Sequence, residues 1–326
     1  MNIAFEQPAA QGRQAAFPAL PFGKFDGEKP TMLNITPNDA NLGATIEGFD
    51  AAQTMSEATF QQILAALGRH GVLRFPNQTI DARHLKEFSE RFGEIQSGIG
   101  EKREGGVPEV GILSNVRESG EFIGLPDAGQ DWHTDMSYRD VIGFVNVLYG
   151  IKVPVRDGRV LGATEFADMH AAYEGLPAAI KTRLANATIT HDFDKFWMMM
   201  VNRPGSVRQP MTPEQRAKRP PAVHPVFLTH PLSGRKVLYC NPGYAMRIDG
   251  WAEAESHAML DFLFEHQLKP EYRYMHTWKQ HDLLLWDHIG TIHQAIADYR
   301  PDEERLMLRC QVMATKVFEP GFMKAA

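Results

Sequence analysis

The sequence predicts a mainly β fold, either a β-sandwich or a jelly roll, with helices packed on the outside. Apolar segments with strand character dominate from residue 141 onward, interrupted by helical segments at 168–185, broken at Pro177, and at 253–267. The chain shows neither an internal repeat nor the regular alternation of strand and helix that builds a parallel sheet. The predicted strands lie at 141–153, 160–166, 188–191, 223–229, 236–239, 272–276, 282–286 and 306–313.

The segment before residue 141 contains two predicted amphipathic helices with one strand between them. Thr54 and Glu57 have the spacing of a capping box, and apolar residues at helical spacing follow them. A strand is predicted at 72–75, and a second helix begins near Asp81. Residues 1–30 are rich in Ala, Gln, Pro and Gly and are predicted to form a loose arm, so that residues 31–326 form a single domain.

The composition restricts the class of protein. With 43% hydrophobic and 23% charged residues, the 326-residue chain has the ordinary make-up of a soluble globular protein. A net charge of −6 gives no reason to expect nucleic acid or an anionic membrane as a partner. Two cysteines exclude a disulfide framework, and no signal peptide or long apolar run is apparent. We therefore expect a cytoplasmic protein with a small-molecule partner, and leave a homo-oligomer open.

The tripeptide His133-Thr134-Asp135 is a candidate metal-binding motif. In an extended strand, residues i and i+2 point to the same face, roughly 6.6 Å apart, so His133 and Asp135 can reach one ion. Imidazole and carboxylate are two thirds of the 2-His-1-carboxylate triad that holds non-haem Fe(II). Alone, the tripeptide does not establish a metal site, because a surface or capping pair has the same sequence.

A third ligand is predicted shortly after the apolar strand at 282–286. His288 stands at the strand end, whereas His293 follows Gly290, which allows a turn back toward a pocket. The spacing leaves both histidines as candidates.

The strand at 306–313 follows Arg305 and carries an apolar face opposite a polar one. Alternation puts Arg305 and Arg309 on the same face, with Cα atoms about 13 Å apart. This pattern predicts a cavity in which the two guanidinium groups meet different anions, since arginine offers a bidentate fork to a carboxylate. An edge strand with solvated arginines is the alternative.

The segment 196–221 is basic and rich in methionine and proline. Trp197 and the adjacent methionines provide an apolar patch, and the prolines make regular structure unexpected. We interpret the segment as a lid over a site; a solvated surface loop is the alternative.

Taken together, these residues resemble the motif of Fe(II)/2-oxoglutarate-dependent dioxygenases, in particular the taurine dioxygenase and phenoxyacetate dioxygenase family. The similarity begins near residue 35 and consists of separate segments in the same order. These are His133-Thr134-Asp135, Gly162-Ala163-Thr164-Glu165-Phe166 with Ala171-Ala172-Tyr173, His224-Pro225, Thr229-His230-Pro231, Trp286-Asp287, His293 and Arg305.

The resemblance implies a double-stranded β-helix of the jelly-roll, cupin-like type. It implies that His133, Asp135 and His293 bind Fe(II), so that His293 rather than His288 is the third ligand. The reaction it implies consumes O2 and 2-oxoglutarate as co-substrate and releases succinate and CO2.

The resemblance also implies roles for residues around the metal. Thr164 and Arg305 are expected to hold the distal carboxylate of 2-oxoglutarate, and Arg309 to approach the acidic group of the substrate. We expect hydroxylation of a small acid with an apolar portion, which Trp197 would cover. The identity of the substrate, and desaturation or C–heteroatom cleavage as the outcome, are left open.

The chain departs from the family pattern at three places. Leu161-Gly162-Ala163 stands where Gly-Gly-Asp is usual, and His288 stands where Asn commonly follows Trp-Asp. After Phe92-Gly93-Glu94 no histidine occurs before His133, so the sulfonate-binding histidine of taurine dioxygenase has no counterpart. The resemblance therefore does not imply taurine as the substrate.

Two other classes of function fit parts of the pattern. A Zn-dependent hydrolase or isomerase on the same fold would use a metal-activated water and would not need Arg305. A non-catalytic binding protein that kept the fold is the other alternative.

Overall fold

The structure is a computed structural model that describes residues 32–96, 103–104, 106–204, 206 and 208–323. The predicted loose arm at 1–30 lies outside the described residues. Within them, the helices are α1 (Glu57–His70), α2 (Ala82–Glu90), α3 (Met169–Glu174), α4 (Ala178–Leu184), α5 (Phe193–Val201), α6 (Pro213–Ala217) and α7 (Glu253–Gln267). In this part of the chain, no helix combines the length and apolar character needed to cross a bilayer.

The strands form one large sheet and several small ones. They are β1 (Asn34–Pro37), β2 (Ala44–Glu47), β3 (Val72–Phe75), β4 (Arg103–Glu104), β5 (Val107–Ser114), β6 (Arg117–Glu118), β7 (Glu121–Phe122), β8 (Gly143–Lys152), β9 (Val155–Arg156), β10 (Arg159–Val160), β11 (Thr164–Asp168), β12 (Thr188–His191), β13 (Ala222–Pro225), β14 (Phe227–Thr229), β15 (Lys236–Leu238), β16 (Ala245–Ile248), β17 (Arg273–His276), β18 (Leu283–Asp287), β19 (Thr291–Ala295) and β20 (Leu306–Met313).

The large sheet has the order β1-β2-β3-β18-β8-β20-β5-β4 and is antiparallel except between β2 and β3. Its central strands are buried on both faces: every residue of β18 is buried, and so are the first eight of β8. This burial explains why both strands have near-continuous apolar sequences instead of alternating ones. The sheet therefore forms the inner wall of the core.

Helices α1 and α2 cover one face of this sheet through an aromatic cluster. Phe92 lies 5.2 Å from Phe60, 5.4 Å from Phe88 and 6.4 Å from Phe144 between ring centroids. These distances are typical of favourable edge-to-face and tilted pairs. Phe60, Phe88 and Phe92 are all buried, so the rings of this cluster belong to the core.

The start of α1 differs from the prediction, while the start of α2 agrees with it. Ser56, not Thr54, is the N-cap of α1, and its Oγ accepts a hydrogen bond from the backbone N–H of Thr59 at 3.1 Å. Two possible caps two residues apart cannot be told apart by composition, because both can satisfy the free N–H groups. Asp81 caps α2 as predicted and accepts from the N–H groups of Arg83 and His84.

The segment 196–221 contains regular structure, which corrects the prediction from its prolines. Helix α5 runs to Val201, and α6 begins at Pro213 with Thr212 as its N-cap. Proline is compatible with the first turn of a helix, where its missing N–H would have no partner in any case. Another correction concerns the predicted strand at 223–229, which is divided into β13 and β14 at the buried Val226.

A second, three-stranded sheet has the order β17-β11-β19 and packs on the large one through Phe166 of β11, whose ring lies 5.5 Å from that of Trp286 in β18. Strand β11 pairs with β19, so that Phe166 lies opposite His293, and Thr164 lies opposite Ala295. A single bridge then joins His133 to His293 at the free edge of β19. The segment that carries the predicted metal motif is thereby fixed to the sheet.

Candidate active site

His133, Asp135 and His293 form a compact buried group. Their candidate ligand atoms all lie within 4.8 Å of one another, and the His133 Nε2 atom is 3.6 Å from Asp135 Oδ1. The backbone of His133 donates to the carbonyl of His293 at 3.0 Å and accepts in return at 2.7 Å. These two backbone hydrogen bonds bring His293, which is distant in the sequence, next to the His-x-Asp motif.

The local conformation differs from the extended strand that the sequence predicts. Only His133 has β geometry, and Asp135 lies in a turn where Met136 takes a φ of 63°. Both side chains nevertheless reach the same point, since the turn directs the carboxylate toward the imidazole. The prediction that the two residues converge holds, although the i, i+2 strand argument does not describe how.

His288, the competing candidate, lies behind Asp135 and outside the group of His133, Asp135 and His293. Its Nε2 atom is 3.7 Å from Asp135 Oδ2, and its Nδ1 atom is 3.2 Å from the hydroxyl of Thr134. Asn146 on β8 donates to the same Oδ2 atom at 3.4 Å. His288 and Asn146 thus both lie beside the Oδ2 atom of Asp135. His293 instead belongs with His133 and Asp135 to the group whose atoms could hold one ion.

The hydrogen bonds of the group fit a metal ion. The His133 Nδ1 atom lies 2.7 Å from the carbonyl oxygen of Asp131, which can only accept, so Nδ1 carries the proton and Nε2 keeps its lone pair. The His293 Nδ1 atom is buried and has no hydrogen-bond partner among the described residues. A buried imidazole nitrogen without a partner is costly unless something absent from the protein chain binds beside it.

The pKa shifts of Asp135 and His293 also fit a metal site. Burial would raise the pKa of the Asp135 carboxyl, but the neighbouring His133, His288 and Arg309 more than offset it and hold the pKa below its usual range. Burial lowers the pKa of His293 well below that of an ordinary histidine. A carboxylate beside neutral imidazole is the protonation state that a divalent metal requires.

Arg305 is buried and has no anionic partner in the described part of the chain. Its Nε atom makes no hydrogen bond there, and burial lowers the pKa of its guanidinium. A buried cation without a partner is expensive, so the position fits a site for an anion. Gly162 makes room for it, since a Cβ at this position would lie 3.1 Å from Arg305 Nε.

Thr164 lies in β11 next to the strand of His293. Its hydroxyl oxygen accepts a hydrogen bond from the indole N–H of Trp278 at 3.0 Å. The hydroxyl hydrogen therefore remains available to donate to an acceptor such as a carboxylate. Sequence reasoning singled out Thr164 and Arg305 but missed Gly162 and Trp278. Gly162 matches the second glycine of the Gly-Gly-Asp that is usual in the family, and this match was the available signal.

A cavity of about 1040 Å³ opens beside the group of His133, Asp135 and His293. His133 and Asp135 form part of its wall, and the Arg309 Nη1 atom lies 4.0 Å from Asp135 Oδ2. Trp197 also lines it, held by a hydrogen bond from its indole N–H to the carbonyl of Gln209 at 2.8 Å. The remaining apolar lining includes Phe122, Met136, Tyr138, Phe193, Phe196, Met200 and Tyr244.

His170, His230 and Asp287 form a second buried group with suitable ligand atoms. Here the atoms already have partners: Asp287 accepts from His230 Nε2 at 2.8 Å, from the N–H of Gly290 at 2.7 Å and from that of Ile289 at 2.8 Å. His230 Nδ1 in turn accepts from backbone N–H groups. The group is a structural network that closes the turn before β19, and the sequence did not predict it.

The jelly roll, the His-Asp-His group and the buried arginine together define an Fe(II)- and 2-oxoglutarate-dependent dioxygenase. Residues 34–311 match the family described as taurine catabolism dioxygenase TauD, TfdA family, and the chain belongs to this family.

Named relatives and a solved structure agree with this class. The chain is 32% identical to pentalenolactone F synthase of Streptomyces arenae, covering 84% of this chain and 93% of the relative. It is 29% identical to the alpha-ketoglutarate-dependent 2,4-dichlorophenoxyacetate dioxygenase of Burkholderia sp. (strain RASC), covering 74% and 81%. The crystal structure of AAD-2 in complex with Mn(II) and N-oxalylglycine superposes with a TM-score of 0.72 at 25% identity, covering 88% and 99%.

The expected family, the jelly-roll fold and the use of Fe(II) and 2-oxoglutarate are confirmed. The Zn-dependent hydrolase or isomerase and the non-catalytic binding protein are therefore set aside.

Proposed function

We propose that the enzyme oxidises, by hydroxylation, an acid that carries a sizeable apolar body. The observation that carries the proposal is the shared wall of the cavity, where Arg309 and the carboxylate of Asp135 are 4.0 Å apart. An acid group held by Arg309 would place its neighbouring carbons beside the metal-ligating group. The oxidised C–H bond is therefore expected within a few bonds of the acid.

In this proposal His133, Asp135 and His293 bind the iron. Bound Fe(II) supplies the activation of O2, coupled to conversion of 2-oxoglutarate into succinate and CO2, and the oxidation of a substrate C–H bond. Three protein ligands on one side of the ion leave coordination positions open for the co-substrate and O2.

Arg305 and Thr164 would bind the distal carboxylate of 2-oxoglutarate. The guanidinium is buried without an anionic partner among the described residues, and a carboxylate would complete its ion pair. The Thr164 hydroxyl already accepts from Trp278 and would donate its hydrogen to the same carboxylate. Pre-formed donors of this kind orient the co-substrate before the substrate enters.

The substrate's body would occupy the aromatic part of the cavity. Its volume of about 1040 Å³ is large for a ligand site, which typically measures 300–1,000 Å³. Rings of Phe196, Tyr244 and Trp197 would cover the apolar portion and exclude water from the reacting atoms. A fused-ring or long-chain acid fits this space better than a two-carbon acid.

The test is a screen of oxygen consumption and succinate release with Fe(II) and 2-oxoglutarate. Its arms are ring-bearing carboxylic acids, long-chain carboxylic acids, sulfate esters and taurine. We expect turnover with bulky carboxylic acids, and product analysis should place the new hydroxyl within a few bonds of the acid. An alkene or a cleaved C–heteroatom bond as product would overturn hydroxylation, and turnover confined to sulfate esters or taurine would overturn the substrate class.

Variants test the residue roles separately. His133→Ala should abolish succinate formation, and Arg305→Lys should raise the KM for 2-oxoglutarate because lysine loses the bidentate fork. Arg309→Lys should instead raise the KM for the substrate. Unchanged succinate formation in His133→Ala would show that the iron lies elsewhere.

A further inference from the structure

The loop at 127–131 contacts the elements of both histidines in the metal-ligating group. The carbonyl of Asp131 accepts from His133 Nδ1 at 2.7 Å, and the carbonyl of Gly129 accepts from the N–H of Ala295, two residues after His293, at 2.7 Å. Gly129 also lies against the imidazole: a Cβ there would be 3.3 Å from His133 Cε1. The loop therefore sets how the His133 ring is held.

Two arginines from the 196–221 segment fix this loop at both ends. Arg208 binds both carboxylate oxygens of Asp127, with an Nη2–Oδ1 distance of 2.7 Å. Arg203 pairs with the carboxylate of Asp131 and donates to the carbonyl of Asp127 at 3.1 Å. The side chains of the two arginines are about one fifth exposed, 21% for Arg208 and 20% for Arg203, so solvent screens these pairs less than open surface pairs.

We propose that Arg203 and Arg208 are positioning residues that tie the 196–221 segment to the 127–131 loop and thereby hold His133 in its metal-binding orientation. The contacts run from the segment through Asp127 and Asp131 to the carbonyl that orients the imidazole. The proposal rests on the proposed function in one respect, the role of His133 as a metal ligand.

The arrangement also connects the metal-ligating group to the substrate cavity. Trp197 and Arg208 of the segment line the cavity, and so do Asp127 and Gly129 of the loop. A substrate body packed against the segment would therefore stabilise the same loop that orients His133. Linkage then requires substrate and metal to raise each other's affinity.

The test is binding of Mn(II) to the metal-free protein, measured from the electron paramagnetic resonance signal of free Mn(II) without turnover. The double variant Arg203→Met/Arg208→Met removes both ion pairs and keeps the length of the side chains. Partners that orient a metal-ligating histidine typically contribute 10–100-fold in metal affinity, so we expect the Kd to rise roughly tenfold or more.

Arg216→Met is the matched control. Arg216 belongs to the same segment and pairs with Asp194 at 3.1 Å, but it neither touches the loop nor lines the cavity. Its Mn(II) affinity should equal that of the natural protein. Exchanging the charges of one pair, as Arg208→Asp with Asp127→Arg, should restore most of the affinity lost in Arg208→Asp alone. Rescue of this kind would not follow from a general effect on packing.

The outcomes separate the two proposals. If the double variant binds Mn(II) like the natural protein while His133→Ala loses binding, the positioning role is wrong and the metal site stands. If His133→Ala also binds normally, the metal assignment fails and the positioning role fails with it. Should the double variant not fold, Asp131→Asn provides the same test with a smaller change, because it removes the charge that Arg203 binds.

Discussion

His133 and His293 are held in different ways, although they lie in one group. The ring of His133 is oriented by a hydrogen bond to the carbonyl of Asp131. The ring of His293 is oriented by packing, with Trp286 5.0 Å and Phe166 6.1 Å away between ring centroids. Changes in the loop should therefore act on His133, while changes in the aromatic cluster should act on His293.

Gly162→Ala should weaken the binding of 2-oxoglutarate by roughly tenfold, or about 1.4 kcal/mol. The added Cβ would lie 3.1 Å from Arg305 Nε and 3.2 Å from its Cδ, so the guanidinium would have to move. The measurement is the KM for 2-oxoglutarate from succinate formation. Gly158→Ala is the control, since Gly158 has a similar φ of 76° but open space around it. An equal rise in both variants would show that backbone strain, and not the close approach, is responsible.

In His191→Phe, the free energy of unfolding should fall less steeply as the pH is lowered. His191 is fully buried, and neither ring nitrogen has a hydrogen-bond partner among the described residues. Burial, then the neighbouring His224 and Lys195, lower its pKa to about 3. Between pH 6.5 and 3 the unfolded chain binds a proton at this residue that the folded chain does not.

This histidine therefore lowers the free energy of unfolding by up to about 1.4 kcal/mol per pH unit as the pH falls through that window. Urea unfolding of the metal-free protein at several pH values should show a shallower slope in His191→Phe. The same slope in both proteins would mean that His191 is protonated in the fold.

Some of the candidate site residues could be predicted from the sequence, and others could not. His133 and Asp135 are two residues apart in the chain, and this spacing made them a candidate pair, although the pair alone also fits a surface or capping role. His288 and His293 could not be separated by spacing, because the choice depends on the bridge between His133 and β19. Residues such as Gly162 and His191 were missed, since their importance comes from what surrounds them in the fold.

At the scale of elements, the turn from β18 to β19 determines where His293 lies. Asp287 closes this turn by accepting from the N–H groups of Ile289 and Gly290 and from His230. Burial would raise the pKa of the Asp287 carboxyl, but His230 and the backbone N–H of Ile289 lower it below its usual value overall. The carboxylate thus acts as a fixed anchor for the turn that leads to His293, the proposed third ligand.

Asp287→Asn should lower the free energy of unfolding by about 2 kcal/mol at neutral pH, because hydrogen bonds to a buried carboxylate are replaced by weaker ones to a neutral amide. Because the folded pKa is depressed, this contribution is present above the ordinary carboxyl pKa and is lost as the pH falls through the folded value. The difference between the two proteins should therefore shrink in acid. Urea unfolding at pH 7 and at about pH 3 measures it. A constant difference would mean that the charge is not involved.

Element boundaries were predicted well wherever the pattern was long. The strand at 306–313 and the helix at 253–267 agree with β20 and α7. The prediction failed in the 196–221 segment, where prolines were taken as breakers although Pro213 stands in the first turn of a helix. Local composition could not show this, because the same residue begins or ends a helix according to its position.

At the scale of the whole molecule, residues 1–30 should be dispensable. The family match begins at residue 34, and the first strand of the large sheet begins at Asn34. A chain that starts at residue 31 should keep its thermal unfolding midpoint and its Mn(II) affinity. A midpoint lower by several degrees, or weaker metal binding, would show that the arm packs on the domain.

The arrangement of the strands was beyond prediction from the chain alone. Alternation in β20 correctly separates its two faces, but nothing in it shows that β8 and β5 are the neighbours. Periodicity reports which residues share a face, whereas strand order depends on contacts between segments far apart in sequence. The jelly roll was therefore predicted as a class, and its order was not.

The position of β18 and β20 in the large sheet has a consequence for biosynthesis. Both strands come from the C-terminal part of the chain, and they insert between β3, β8 and β5, which are made much earlier. A nascent chain that ends before residue 306 therefore exposes the apolar strand β8 with no partner on that side. Such non-local pairing slows folding and favours aggregation of incomplete chains. A chaperone that shields β8 until β18 and β20 have been made should raise the yield of active enzyme.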